Sequence, residues 1–185
     1  MERKALIRNA ALAISMLMSA ALFAQTTASG TINATLINKS GISLVFDSDP
    51  GGVSLGSSGS SAASLNLGAV SAYGSLSAGV TRPTVGANSY IVQTLFDVQV
   101  IEAGLISPNY TLTAQLAAAA PTGLTYSVDA VALTTGSQTI QTTGAYNTDV
   151  QHTLKLTVSS AAPGSGGPTT GTPLTTTINF LATSN

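Results

Sequence analysis

A chain of 185 residues with a formal charge of −1 is expected to form one domain, and only 7% of it is charged, against about 25% in an average soluble protein. With no Cys, no Trp and a single His, it excludes a disulfide scaffold, a thiolate zinc site, a cysteine nucleophile and a two-His metal cage. Disorder needs low hydrophobicity with high charge, whereas 44% of this chain is apolar, and a basic nucleic-acid footprint is absent.

The first 24 residues read as a secretory signal. Arg3, Lys4 and Arg8 form a basic start, Ala10 to Phe23 an uncharged apolar stretch, and Ala24 the cleavage position. About 14 apolar residues fall short of the roughly 20 that a membrane span needs, and no later run reaches that length. The expectation is therefore export of residues 25–185 as a single domain, with no transmembrane segment, to the periplasm, the cell surface or the medium. Beyond residue 24 the only cations are Lys39, Arg82 and Lys155, against Asp47, Asp49, Asp97, Glu102, Asp129 and Asp149. An excess of acid makes nucleic acid and anionic membranes poor partners.

The exported part reads as short alternating runs punctuated by Gly, Ser, Pro and Asn. Thr31 to Leu36 alternates with period two. Ile42 to Phe46 is a continuous apolar run, expected to be a strand covered on both faces. A turn follows over Asp47 to Gly52 and a flexible loop over Gly56 to Ser61. Ala63 to Val70 has strand character, and Gly74 to Gly86 reads as loop with weak strand content. Ser89 to Ala103 is the clearest strand, with Tyr90, Val92, Thr94, Phe96, Val98 and Val100 on one face. Tyr110–Leu116, Tyr126–Ala130, His152–Val158 and Ile178–Ala182 alternate likewise. The last two are expected to pair as a closing hairpin across the Pro/Gly-rich loop from Ser160 to Pro173. Eight to ten short strands without intervening helices predict an all-β, immunoglobulin-like antiparallel β-sandwich. Its core is expected to include Ile32, Leu44, Phe46, Tyr90, Phe96, Val98, Leu112, Tyr126, Leu154, Leu156, Ile178 and Phe180.

Ser64-Leu-Asn-Leu-Gly68 follows an N-terminal strand and a loop, and Gly144-Ala-Tyr-Asn-Thr-Asp149 leads into Leu154-Lys-Leu-Thr-Val158. Together these stretches resemble secreted bacterial β-sandwich surface proteins of the spore-coat-U and fimbrial-subunit type. The matches cover about a tenth of the exported chain. The resemblance implies an immunoglobulin-like sandwich and extracellular assembly by strand exchange. The chain departs from the family in having no Cys pair and in ending on a strand of its own, Thr176 to Thr183.

Asp47-x-Asp49-x-Gly51 resembles the start of a calcium loop, since hard cations want clustered carboxylate oxygens on a turn. An EF-hand needs a carboxylate at its twelfth position, where Ser58 stands, so the choice is between a simpler calcium turn through Asp47 and Asp49 and a plain turn. His152 is the only imidazole base, but no Gly-x-Ser-x-Gly elbow accompanies it. Asp97 and Glu102 have opposite strand parity and do not make a carboxylate pair. Tyr90, Tyr110 and Tyr126 have core parity, which leaves Tyr73 and Tyr146, in loops, as platforms for a sugar. No catalytic residue and no cofactor is expected. The function that fits is a structural or adhesive cell-surface protein, a self-assembling subunit with Gln25 to Leu36 as donor strand and itself or other surface proteins as partners. The alternative is a non-catalytic glycan- or calcium-binding module.

Overall fold

The computed structural model describes residues 41–104, 107–163 and 173–185. Nine strands are present there: β1 Gly41–Asp47, β2 Thr81–Val85, β3 Ser89–Ala103, β4 Tyr110–Leu116, β5 Leu124–Val128, β6 Val131–Ala132, β7 Gln138–Gly144, β8 Asp149–Ser159 and β9 Ile178–Ser184. They form two antiparallel sheets in a sandwich-like arrangement. The larger runs β1-β3-β8-β5-β6 with β2 also on β3, and the smaller runs β7-β4-β9. The Thr31–Leu36 run and Ile32 lie outside the described residues.

β3 organises the larger sheet because its two faces differ. Val92, Thr94, Phe96, Val98 and Val100 are buried, while the residues between them are half-buried or exposed. That period of two is what a sheet covered on one face dictates. One edge of β3 pairs with β8 in unbroken register, from Ser89 opposite Ser159 to Gln99 opposite Asp149. Its other edge is shared, β1 taking residues 97–103 and β2 residues 90–93. Between these two partners the chain leaves on a long excursion, residues 48–80, and returns.

Thr94 clamps both ends of that excursion. Its Oγ1 accepts the Val53 amide proton at 2.9 Å and donates to the Gly79 carbonyl at 2.8 Å. The clamp works because Gly52 presses on the Leu95 carbonyl, where any Cβ would collide, and Gly79 adopts a φ of +79° against Gly52. Leu55, Leu65, Leu67, Val70 and Leu76 then pack onto the core. The expected strand over Ala63 to Val70 is absent. Only a single bridge, Gly56 to Ser64, forms there, since the leucines reach the core from a loop anchored by side chains rather than by a ladder.

The smaller sheet has β4 at its centre, with Tyr110, Leu112, Ala114 and Leu116 all buried. Phe180 of β9 meets Phe46 at a centroid distance of 5.2 Å and Phe96 at 5.9 Å, both edge to face, so the aromatic contacts cross between the sheets. Of the expected core, Phe96, Val98, Leu112, Tyr126 and Leu156 are buried. Leu44, Phe46, Tyr90, Leu154, Ile178 and Phe180 are partly buried against them.

Two expectations need correction. β8 and β9 do not form a closing hairpin. β8 pairs with β3 and β5, whereas β9 pairs with β4, so the Pro/Gly-rich connection changes sheets. Nor is β1 covered on both faces. No residue in it is fully buried, and among the described residues it stands at the edge of its sheet.

Candidate functional site

β1 and β9, one from each sheet, adjoin on the same side of the sandwich. Between them lies a groove of about 230 Å³ lined by Leu44, Phe46, Ser61, Ile178, Asn179 and Phe180. The backbone groups along it are oriented by alternation. The Phe46 amide points outward to the Ser60 carbonyl, and its carbonyl accepts from Gly59, so Ile42 and Leu44 also face away from β3. The Thr177 carbonyl and the Asn185 amide both point towards β4, to Ala117 and Asn109, so Ile178, Phe180 and Ala182 face away from it. These groups have no strand partner among the described residues. Neither strand carries a Lys or Pro to blunt its edge. The result is an uncharged trough of mixed polar and apolar surface, with Leu44, Phe46, Ile178 and Phe180 among its walls and Ser61 and Asn179 beside them.

The Asp47–Asp49 turn uses its oxygens internally. Asp49 is buried. One carboxylate oxygen accepts the Gly51 amide at 2.6 Å and the other accepts from the Gln151 side chain. Asp47 accepts the Ser58 hydroxyl at 3.2 Å, so the residue at the twelfth position of the calcium pattern is a hydrogen-bond donor to the first. Asp97 stands opposite Asp47 in the β1–β3 register. Its carboxyl is pushed above the ordinary value by burial, and then by the charges of Asp49, Asp149 and Asp47. Among the described residues no three or more His, Asp or Glu side chains are grouped so as to hold a metal ion.

His152 is buried beside Phe96, at a centroid distance of 5.8 Å. Its Nδ1 is 2.9 Å from the Asp129 carboxylate, whose other oxygen accepts the Thr153 amide at 2.8 Å. Asp129 sits in the β5–β6 turn at φ 54° and its own amide donates to the Thr153 carbonyl. The pair fastens that hairpin to β8. Among the described residues His152 Nε2 has no hydrogen-bond partner.

Of the two tyrosine platforms, Tyr73 is 77% exposed. Tyr146 is not a free platform. Its ring packs on Tyr110 at 5.3 Å, and its hydroxyl hydrogen-bonds Ser107 at 2.9 Å and the Asn109 carbonyl at 3.1 Å. Gly144 pairs with Tyr110, and any Cβ there would enter the Tyr110 ring. The Gly144…Tyr146 motif therefore builds one end of the small sheet. Burial, and then the neighbouring Tyr146, raise the Tyr110 hydroxyl pKa.

Sequence reasoning placed Leu44, Phe46, Ile178 and Phe180 in the core but missed the groove. The available signal was a first described strand and a last strand rich in apolar residues and without a Lys, Arg or Pro. No family model matches this chain, and no curated protein matches it in sequence.

Proposed function

We propose that this chain is an exported structural or adhesive subunit of a bacterial cell surface, an immunoglobulin-like sandwich that assembles with further copies through its strand edges. The observation that carries the reading is the β1–β9 groove, uncharged and holding Leu44, Phe46, Ile178 and Phe180 in its walls, with strand-edge backbone groups along both sides. An extended segment from a neighbouring copy satisfies both features at once, adding ladder hydrogen bonds while its alternate side chains fill the trough. The run from Gln25 to Leu36 has the required pattern, with Ile32, Ala34 and Leu36 alternating with Thr and Asn and no charge among them. Burying Ile32 and Leu36 contributes about 3–6 kcal/mol. That offsets part of an association cost of roughly 4–15 kcal/mol, so backbone pairing must supply the rest. The basic and apolar order of residues 1–24 supports export.

The test is size-exclusion chromatography and electron microscopy of the exported chain with and without residues 25–36. Concentration-dependent oligomers or filaments that vanish on deletion are expected. A strict monomer in both forms overturns the reading.

A further inference from the structure

Every Asp, Glu, Lys and Arg among the described residues lies on the larger sheet or its connections. β4, β7 and β9 contain none. Six acids and two bases on one side leave that side strongly negative and the outer face of the small sheet neutral. The residues on this face follow from register. Thr111 stands opposite Thr183, Thr113 opposite Leu181 and also opposite Thr139, and Leu181 is 63% exposed. The face is also less polar than its composition. The Thr111 hydroxyl donates to Asn185 Oδ1 at 2.7 Å, and Thr113 turns its hydroxyl to the Leu181 carbonyl at 3.3 Å. Hydroxyls engaged in this way have no proton left to offer solvent, so covering them forfeits little hydration.

We propose that this face pairs with the same face of a second copy of the chain. Charge selects that occupant. Pairing through the charged sheets brings two negative surfaces together, whereas face-to-face packing of the small sheets places the charged sheets on the outside, as far apart as the molecules allow. The size of the face sets the strength. Three strands about 4.8 Å apart and seven residues long cover roughly 340 Å², so the pair buries roughly 700 Å², below the ~1,200 Å² of stable complexes. The isolated pair is therefore weak. Its consequence for assembly rests on the edge-assembly reading above, since many weak contacts between two filaments add to a firm lateral bond.

The absence of native Cys makes the test clean. Thr113→Cys, at the centre of the face, is compared under mild oxidation with Tyr73→Cys, which is more exposed but lies off the face. Thr113→Cys is expected to form disulfide-linked dimers at least about tenfold faster, and Leu181→Asp is expected to abolish concentration-dependent dimers in sedimentation. Circular dichroism confirms that both variants fold. Equal crosslinking rates, or undiminished dimers with Leu181→Asp, overturn the proposal. Failure of edge assembly leaves the Thr113→Cys rate unchanged, so the two readings fail separately.

Discussion

Thr94→Val tests how the 48–80 excursion is held. The Thr94 side chain is 2% exposed and its hydroxyl serves two partners far apart in sequence, the Val53 amide and the Gly79 carbonyl. Valine keeps the shape and removes both bonds. The buried Val53 amide and the half-buried Gly79 carbonyl are then left without this partner, at about 1–3 kcal/mol each, while the added methyl returns about 0.8 kcal/mol. The net loss is about 1–5 kcal/mol, against a whole-domain stability of roughly 5–15 kcal/mol. Urea denaturation followed by circular dichroism measures the loss, and native-state hydrogen exchange at Val53 locates it. Thr94→Ser, which retains the hydroxyl, should keep the Val53 amide protected. A Thr94→Val variant within about 0.3 kcal/mol of the parent would show that the excursion is held by its leucines alone, and would refute the clamp.

Gly144→Ala forces a methyl into the Tyr110 ring and should cost at least about 1–3 kcal/mol as overpacking, read as a lowered melting temperature. Asp129→Ala removes the acceptor for both His152 Nδ1 and the Thr153 amide. It should lower stability by about 1–3 kcal/mol, with faster hydrogen exchange at Thr153. Asp97 carries a raised folded-state pKa, so the folded protein binds its proton more tightly than the unfolded chain does. Between the ordinary aspartate value of 3.8 and the raised one, stability therefore falls as pH rises. Asp97→Asn should be more stable than the parent at neutral pH and lose this part of the pH dependence in urea titrations.

The elements that sequence exposes are those whose two faces meet different surroundings. β3 and β4 alternate because one side meets the core and the other does not, and the expected bounds of both are the observed ones. β7 escapes the same reading because Ile140 is its only large apolar residue. Its place comes from register with β4 and from Gly144 yielding to Tyr110, which are facts about a partner strand. β1 misleads in the opposite direction. A continuous apolar run suggested cover on both faces, yet its leucine and phenylalanine line a trough at an edge. The partner of β9 could not be read locally, since chain order favoured β8 and only its register with β4, from Tyr110 opposite Ser184 to Leu116 opposite Ile178, shows where it belongs. Among the candidate site residues, Tyr146 looked exposed because its loop is short and polar. Its hydroxyl is held by Ser107 and Asn109, more than thirty residues away.

Hydrogen exchange on residues 25–185, compared between dilute and concentrated protein, tests the central claim most directly. The account predicts that the outward amides of β1, at Ile42 and Leu44, or those of β9, at Ile178, Phe180 and Ala182, become protected on assembly. The β6 and β7 edges should exchange as they do in the monomer. Assembly that leaves β1 and β9 unprotected, or that protects the β6 and β7 edges instead, would contradict the groove as the site of self-association.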